Sequence, residues 1–261
     1  MTTRRIVQLT DTHLYGEPER FWASFQPALS LDAVLADIDA REAPIDALLL
    51  TGDIAMDGET EAYRAIAARC AERDVPVLAV PGNHDDPDAM AAVFGPAGIA
   101  GTGVHALGAW DLVLLSSHVP GEPGGAVSDA ALAALEAHLA ASRERPQLIA
   151  VHHPPVAVGS AWIDAMGLEN GGALLTLLQR YPRVRAVVSG HVHQVFEARR
   201  EHIDILTSPS TCMQFKPGSE AFAEDGGAAP GYRWLELADD GTLASGVTRV
   251  AAALPAVADS R

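Results

Sequence analysis

Six short apolar runs in this chain of 261 residues stop, or nearly stop, on side chains of the kind that hold metal ions or line polar sites. Residues 5–9 run into Asp11 and His13, residues 47–50 into Asp53, and residues 75–80 into Asn83-His84-Asp85. Residues 148–151 run into His152-His153, residues 184–188 into His191 and His193, and residues 203–206 into Ser208-Pro209-Ser210-Thr211. One histidine after one strand carries little information. Repeated strand-then-donor units gather carboxylate, imidazole and amide groups along one edge of a sheet, the edge on which α/β folds build their sites.

Helical periodicity fills the intervals. Residues 29–40 place Leu31, Val34, Leu35 and Ile38 on one face, with Ser30 as N-cap, and residues 60–72 and 172–180 read similarly. Residues 129–141 align Leu132, Leu135 and Leu139 behind a Ser128 cap, and Asp86 and Asp88 are expected to cap a short helix over 89–94. Alternating strands and helices imply an α/β core with parallel neighbours. A strand over 110–116, after a Gly-rich stretch, and two more over 232–237 and 243–250 add antiparallel partners; the last two flank the hairpin signal Asp239-Asp240-Gly241. No repeat or linker divides the chain. One catalytic domain over residues 1–250 is expected, with an exposed loop over 219–231 and a flexible C-terminal tail over 251–261.

Composition removes several function classes. Lys and Arg total 18 against 34 Asp and Glu, a formal net charge of −16, which argues against binding a nucleic acid polymer. Bound divalent cations would reverse the field locally if the substrate is an anion. Cys70 and Cys212 form no C-x-x-C pair, so neither a disulfide framework nor a structural zinc site is expected. The N-terminal residues lack the apolar core of a signal peptide, and no apolar run reaches the length of a membrane span. A soluble cytoplasmic protein without a membrane partner is the expectation.

The donor set has its own chemistry. Asp11 and His13 lie two apart, as do His191 and His193; on an extended strand end, i and i+2 point the same way and can reach one ion. Gly52 lets the backbone turn before Asp53, whose two carboxylate oxygens can bridge two ions. Asn83 adds an amide oxygen and His152 a further imidazole. That is too many donors for one tetrahedral ion, and their nitrogen and oxygen mix suits Mn, Fe or Zn. Two metals about 3.5–4 Å apart with a shared bridge form the site used to displace a leaving group from phosphorus.

Asp11-x-His13, Gly52-Asp53, Gly82-Asn83-His84-Asp85, His152 and Gly190-His191-x-His193 together resemble the calcineurin-like metallophosphoesterase pattern. Further segments are similar to the bacterial class III cyclic nucleotide phosphodiesterases of the cyclic AMP type. These are Val119-Pro120-Gly121 with Gly124-Gly125, Gly159-Ser160-Ala161-Trp162, His191-Val192-His193-Gln194, Pro209-Ser210-Thr211-Cys212-Met213-Gln214-Phe215 and Pro230-Gly231-Tyr232-Arg233-Trp234-Leu235. The resemblance implies an α/β fold, a four-layer α/β/β/α sandwich of two mixed sheets flanked by helices. It implies two divalent metal ions per chain, Fe and/or Mn ahead of Zn. Asp11, His13 and His193 would hold the first, and Asn83, His152 and His191 the second, with Asp53 bridging both. His84 and Asn83 would be catalytic, and His13, Asp53, Asn83, His84 and His193 would bind the substrate phosphate. The implied reaction is hydrolysis of 3',5'-cyclic AMP, and of related cyclic nucleotides, to the 5'-monophosphate by attack of a metal-bridging hydroxide. The implied partner is a small cyclic nucleotide or other phosphodiester, and a homodimer is compatible with the family.

Neighbouring families fit less well. Purple acid phosphatases carry a tyrosine ligand where this chain has Met56, and protein serine/threonine phosphatases carry Asp-Arg-Gly and Glu where this chain has Asp57-Gly58 and Asp85. Hydrolysis of other small diesters, such as glycerophosphodiesters, is the near alternative. A catalytically silent binding scaffold is the distant one, since none of the seven donors is missing. Among the remaining residues, His153 is expected to pack or support the site, His118 to be a loop residue, and His105, His138 and His202 to lie on the surface. Asp85 is read as a local hydrogen-bonding residue or as one that orients His84, and Trp162 as a packing anchor before a stacking platform for a base.

Overall fold

The computed structural model describes residues 2–41 and 44–251. Beyond Ala251, the tail expected from the sequence lies outside the described residues.

Eleven strands form two mixed sheets among the described residues. The first sheet contains β1 (Thr3–Leu9), β2 (Ala47–Thr51), β3 (Val77–Val80), β10 (Gly231–Ala238) and β11 (Leu243–Arg249), in the order β11-β10-β1-β2-β3. Within it β1, β2 and β3 run parallel, and the hairpin β10–β11 adds antiparallel to β1. The second sheet contains β4 (Gly103–Leu107), β5 (Trp110–Leu115), β6 (Gln147–Val151), β7 (Val184–Ser189), β8 (Glu197–Arg200) and β9 (Ile203–Thr207), in the order β4-β5-β6-β7-β9-β8. Its four inner strands are parallel and its two edges antiparallel.

The strands are apolar without alternation because both faces are covered. In β2, Ala47 and Leu49 pack against residues of the other sheet such as Leu148 and Val188, while Leu48 and Leu50 pack against helices. Those helices are α1 (Pro27–Ala40), α2 (Thr60–Ala71) and α3 (Pro87–Phe94). The second sheet is covered by α4 (Asp129–Ala141) and α6 (Gly171–Gln179), and a single turn, α5 (Ala161–Asp164), precedes α6. The layers therefore run α/β/β/α, as expected. No helix among the described residues is long and apolar enough to cross a membrane.

Several local expectations change. Helix α1 begins at Pro27, whose missing N–H costs nothing in the first turn, so Ser30 lies inside the helix and donates its hydroxyl to the Thr211 carbonyl at 2.6 Å. Asp86 caps α3 by accepting from the N–H groups of residues 88 and 89, which leaves Asp88 in the first turn and not at the cap. Ser128 caps α4 as expected. The Gly-rich stretch before residue 110 contains β4, a five-residue edge strand that opens on Gly103 and is largely exposed, and β8, at the other edge, is concealed by its charged residues.

Candidate metal centre

The parallel strands of both sheets end on the same edge, and their following loops continue side by side. The Asp11 and His13 N–H groups donate to the carbonyls of Gly52 and Asp53, each at 3.0 Å, so the two loops are laced together past the last strand residue. Gly52 has φ +93°, and a Cβ there would sit 2.4 Å from His152 Nδ1, which leaves glycine as the residue that fits.

Asp11, His13, Asp53, His191 and His193 all adopt left-handed backbone conformations, with φ between 46° and 68°. The i, i+2 pairs are thus aimed by successive tight turns beyond the strands, and not by strand alternation as the spacing suggested. Non-glycine residues in this region are strained, and such strain clusters at functional sites.

The seven expected donors converge in two lobes. In the first, His13 Nε2 and His193 Nε2 face each other at 3.1 Å, and Asp11 Oδ1 is 3.4 Å from His193 Nε2. In the second, Asn83 Oδ1 lies 3.2 Å from His152 Nε2 and 3.1 Å from His191 Nδ1. Asp53 Oδ2 stands between them, 3.3 Å from His152 Nε2 and 3.9 Å from His13 Nε2. Backbone carbonyls fix two of the tautomers. His152 Nδ1 donates to Thr51 at 2.7 Å and His193 Nδ1 to Met213 at 2.8 Å, which turns each Nε2 lone pair inward.

The two lobes crowd imidazole nitrogens, an amide oxygen and two carboxylates together, and a cation placed among them would hold these electron-rich atoms at such close range. Metal–ligand bonds of about 2.0–2.2 Å place neighbouring donors about 3.0–3.5 Å apart, the spacing found in both lobes. The residues therefore fit a pair of divalent ions.

The electrostatics agree. Burial, with the neighbouring imidazoles, holds His13 and His191 well below the ordinary imidazole range, which keeps them neutral and available as ligands. Burial acts against charge on Asp53 and His152 too, but each stabilises the other's charged form: Asp53 falls well below the usual carboxylate range and His152 rises to about 9.

His84 is exposed at the rim, its ring 5.0 Å from that of His13. Its N–H donates to Asp53 Oδ1 at 2.9 Å, and its Nδ1 is tied to the Met56 carbonyl at 2.9 Å. His153 is close enough to His152 and His191 to join a ligand cluster, yet both its nitrogens are engaged, by Ser117 Oγ at 2.8 Å and the Pro123 carbonyl at 3.1 Å. Burial pushes its imidazole down to about 3, so it is a neutral support.

Other residues take roles the sequence did not make visible. Asp85 is buried and does not touch the His84 ring. Its carboxylate accepts from the N–H groups of Ile54, Ala55 and Gly82 and from the Tyr63 hydroxyl, at 2.9–3.2 Å, clamping the loop after β2 to the loop after β3. His118 ties Gly82 by bonding its carbonyl at 2.9 Å. The loop after β9, the sixth apolar run of the sequence, supplies hydroxyls and no converging donor: Ser210 donates to the Asp11 carbonyl at 2.7 Å, and Ser208 to Gln8 Oε1 at 2.5 Å. Phe215 stacks on His193 at 3.9 Å with 8° between planes, and Trp22 leans on His13 at 4.5 Å. Trp162, by contrast, takes the packing role expected of it, with its indole between Phe215 and Phe222. His105, His138 and His202 are half-buried and not simple surface residues, since each finds a carbonyl or amide partner. These supports come from distant segments, and only the polar Ser208–Thr211 cluster hinted at them.

Two lobes of nitrogen and oxygen donors around one carboxylate, on the edge of a four-layer sandwich, define a two-metal hydrolytic type of centre. A model of the calcineurin-like phosphoesterase family matches residues 4–195, and the chain belongs to that family. It is 40% identical to the 3',5'-cyclic adenosine monophosphate phosphodiesterase CpdA of Pseudomonas aeruginosa, over 94% of this chain and 89% of that protein. It is 38% identical to the protein of the same name from Escherichia coli K12, over 95% and 90% of the two chains. A cyclic-nucleotide phosphodiesterase of Nostoc is 35% identical over 96% and 94%. Among solved structures, a dimetal phosphatase from Danio rerio superposes with a TM-score of 0.63 at 17% identity, covering 95% of this chain and 99% of that one, a likeness of fold.

Proposed function

We propose that this chain hydrolyses 3',5'-cyclic AMP to the 5'-monophosphate at a two-metal centre within a catalytic domain over residues 1–250. The observation that carries the proposal is the convergence of all seven donors, with tautomers set by backbone carbonyls, in a chain about two-fifths identical to cyclic AMP phosphodiesterases along nearly its whole length. Asp11, His13 and His193 would hold one ion, Asn83, His152 and His191 the other, and Asp53 both. The mixed nitrogen and oxygen donors and the absence of a thiolate favour Fe or Mn. When bound, the ions supply a water nucleophile active near neutral pH and neutralise phosphoryl charge.

The protein's own groups do the rest. Asn83 Oδ1 faces two imidazoles, so the hydrogens of its Nδ2 are left to hold a phosphoryl oxygen. His84 uses Nδ1 on the Met56 carbonyl, which leaves Nε2 to stabilise charge at phosphorus or to serve the departing 3' oxygen as general acid. The burial of Asp11, Asp53 and His152 strengthens every electrostatic interaction in the site.

The test is hydrolysis of cyclic AMP by Mn- or Fe-loaded protein against bis(4-nitrophenyl) phosphate, with Asp53→Ala as the blank. Efficient turnover of cyclic AMP, lost in the variant, is the expected result. Cleavage of the generic diester alone would move the assignment to other small diesters, the glycerophosphodiesters first.

A further inference from the structure

Two sequence motifs without a role in the metal centre, Val119-Pro120-Gly121 with Gly124-Gly125 and the segment around Gly159–Trp162, lie on or beside one cavity of about 650 Å³. It opens between the loop after β5 and the segment after β6, and its size is that of a small-molecule site. The cavity adjoins the second lobe. Val192, which stands between His191 and His193, forms part of its wall, and Pro154 follows His152-His153. His153, 4.4 Å ring to ring from His191, fastens the cavity's other side through the Pro123 carbonyl. A Cβ on Gly125 would sit 2.3 Å from His153 Nδ1, so the glycine of that motif is what allows the loop to close on the histidine.

The lining is apolar along Pro154, Val156 and Ile163, and its charged groups are all carboxylates. Asp164 is engaged by the N–H groups of Val158 and Gly159 at 2.7 and 2.9 Å. Glu122 and Glu169 bond through their backbone N–H groups to the Val119 and Gly125 carbonyls, and their carboxylates are exposed and engaged by no hydrogen bond or ion pair among the described residues. No cationic side chain lines the space. Such a cavity repels a phosphate and accepts a flat neutral group that carries N–H donors.

We infer that this cavity receives the purine base of a cyclic nucleotide, with its exocyclic amine donating to Glu122 or Glu169. The inference rests on the cyclic nucleotide reading of the centre. It assigns base preference to the charge of the cavity: an amine at C6 finds an acceptor there, whereas a C6 carbonyl meets a like-signed oxygen. Cyclic AMP is then preferred over cyclic inosine monophosphate.

The test uses the metal-loaded full chain and Ala157→Trp, which fills the cavity from an exposed lining position. KM for cyclic AMP should rise at least about tenfold while kcat/KM for bis(4-nitrophenyl) phosphate stays within about twofold. Unchanged KM for cyclic AMP overturns the inference. If both substrates fall together, Glu122→Gln/Glu169→Gln decides. Loss of the preference for cyclic AMP over the inosine analogue supports the inference, and an unchanged preference, or none in the wild type, overturns it. Calorimetric titration of adenosine into metal-free protein separates the two readings. Should the wild type fail on cyclic AMP yet cleave the generic diester, adenosine binding that Ala157→Trp abolishes still places a nucleoside in the cavity, and absent binding overturns it.

Discussion

Asp85→Asn isolates the clamp that sets the distance between two of the ligand loops. The carboxylate receives four donors: Ile54 N–H across both oxygens, Ala55 N–H and Tyr63 O–H at Oδ1, and Gly82 N–H at Oδ2. The Tyr63 oxygen itself accepts from the Asp86 N–H at 2.8 Å, so its hydrogen is committed to Asp85. An asparagine keeps the shape but presents one oxygen and one NH2 group. In either orientation a buried N–H faces an N–H, which loses at least one hydrogen bond to a charged group and leaves a donor unsatisfied. Relief of the buried charge offsets part of this, and a net loss of about 2–3 kcal/mol is expected. Urea denaturation of the metal-free protein reads that loss. Turnover should fall further, by roughly 100-fold, because Gly82 precedes Asn83 and a shift of about 1 Å there moves the amide proposed both to hold a metal and to contact the phosphate. A variant with unchanged stability and unchanged kcat would refute the clamp.

Three further expectations follow from the same geometry. His84→Ala should retain both metals by elemental analysis yet lose roughly 100-fold in kcat, and an undiminished rate would remove His84 from the chemistry. His153, held neutral by burial with its pKa down to about 3, favours the folded state above the unfolded value near 6.5. That contribution, up to about 5 kcal/mol, is lost as pH falls from roughly 6.5 toward 3, so a flat stability profile across this window would count against its buried neutral state. His152, raised to about 9 beside Asp53 in metal-free protein, carries a proton at neutral pH that a metal ion must displace. Calorimetry in buffers of different ionisation enthalpy should therefore find about one proton released from this residue on metal uptake near pH 7, fading above pH 9; metal uptake without proton release would contradict the pairing.

The converging donors were legible in the sequence because each is local to a strand end. An apolar run, a glycine and a donor can be seen within ten residues, and Asp53, Asn83 and His191 stand where that pattern puts them. The fold class followed from the alternation of runs and amphipathic helices. The edge strands β4 and β8 were not legible: β4 is five residues opening on a glycine inside a Gly-rich stretch, and three of the four residues of β8 are charged. Nor were the supports. Asp85 serves residues 54 and 55 and Ser210 serves Asp11, pairings across tens to hundreds of positions that only tertiary structure creates. The aim of the i, i+2 pairs was misread for a related reason: alternation belongs to strands, and these residues lie just past them in left-handed turns.

The left-handed backbone at Asp11, His13, Asp53, His191 and His193 has an evolutionary consequence. Each position costs of order 1–3 kcal/mol to hold without glycine. A lineage that stopped needing the chemistry would gain stability by letting glycine, or asparagine, drift into these five sites, since strain kept for function is relieved when function lapses. Side chains retained there against that gradient are a record of continued selection for the ions they face. Among related chains, glycine at these positions should mark those that have given up catalysis, before any change in the core betrays it.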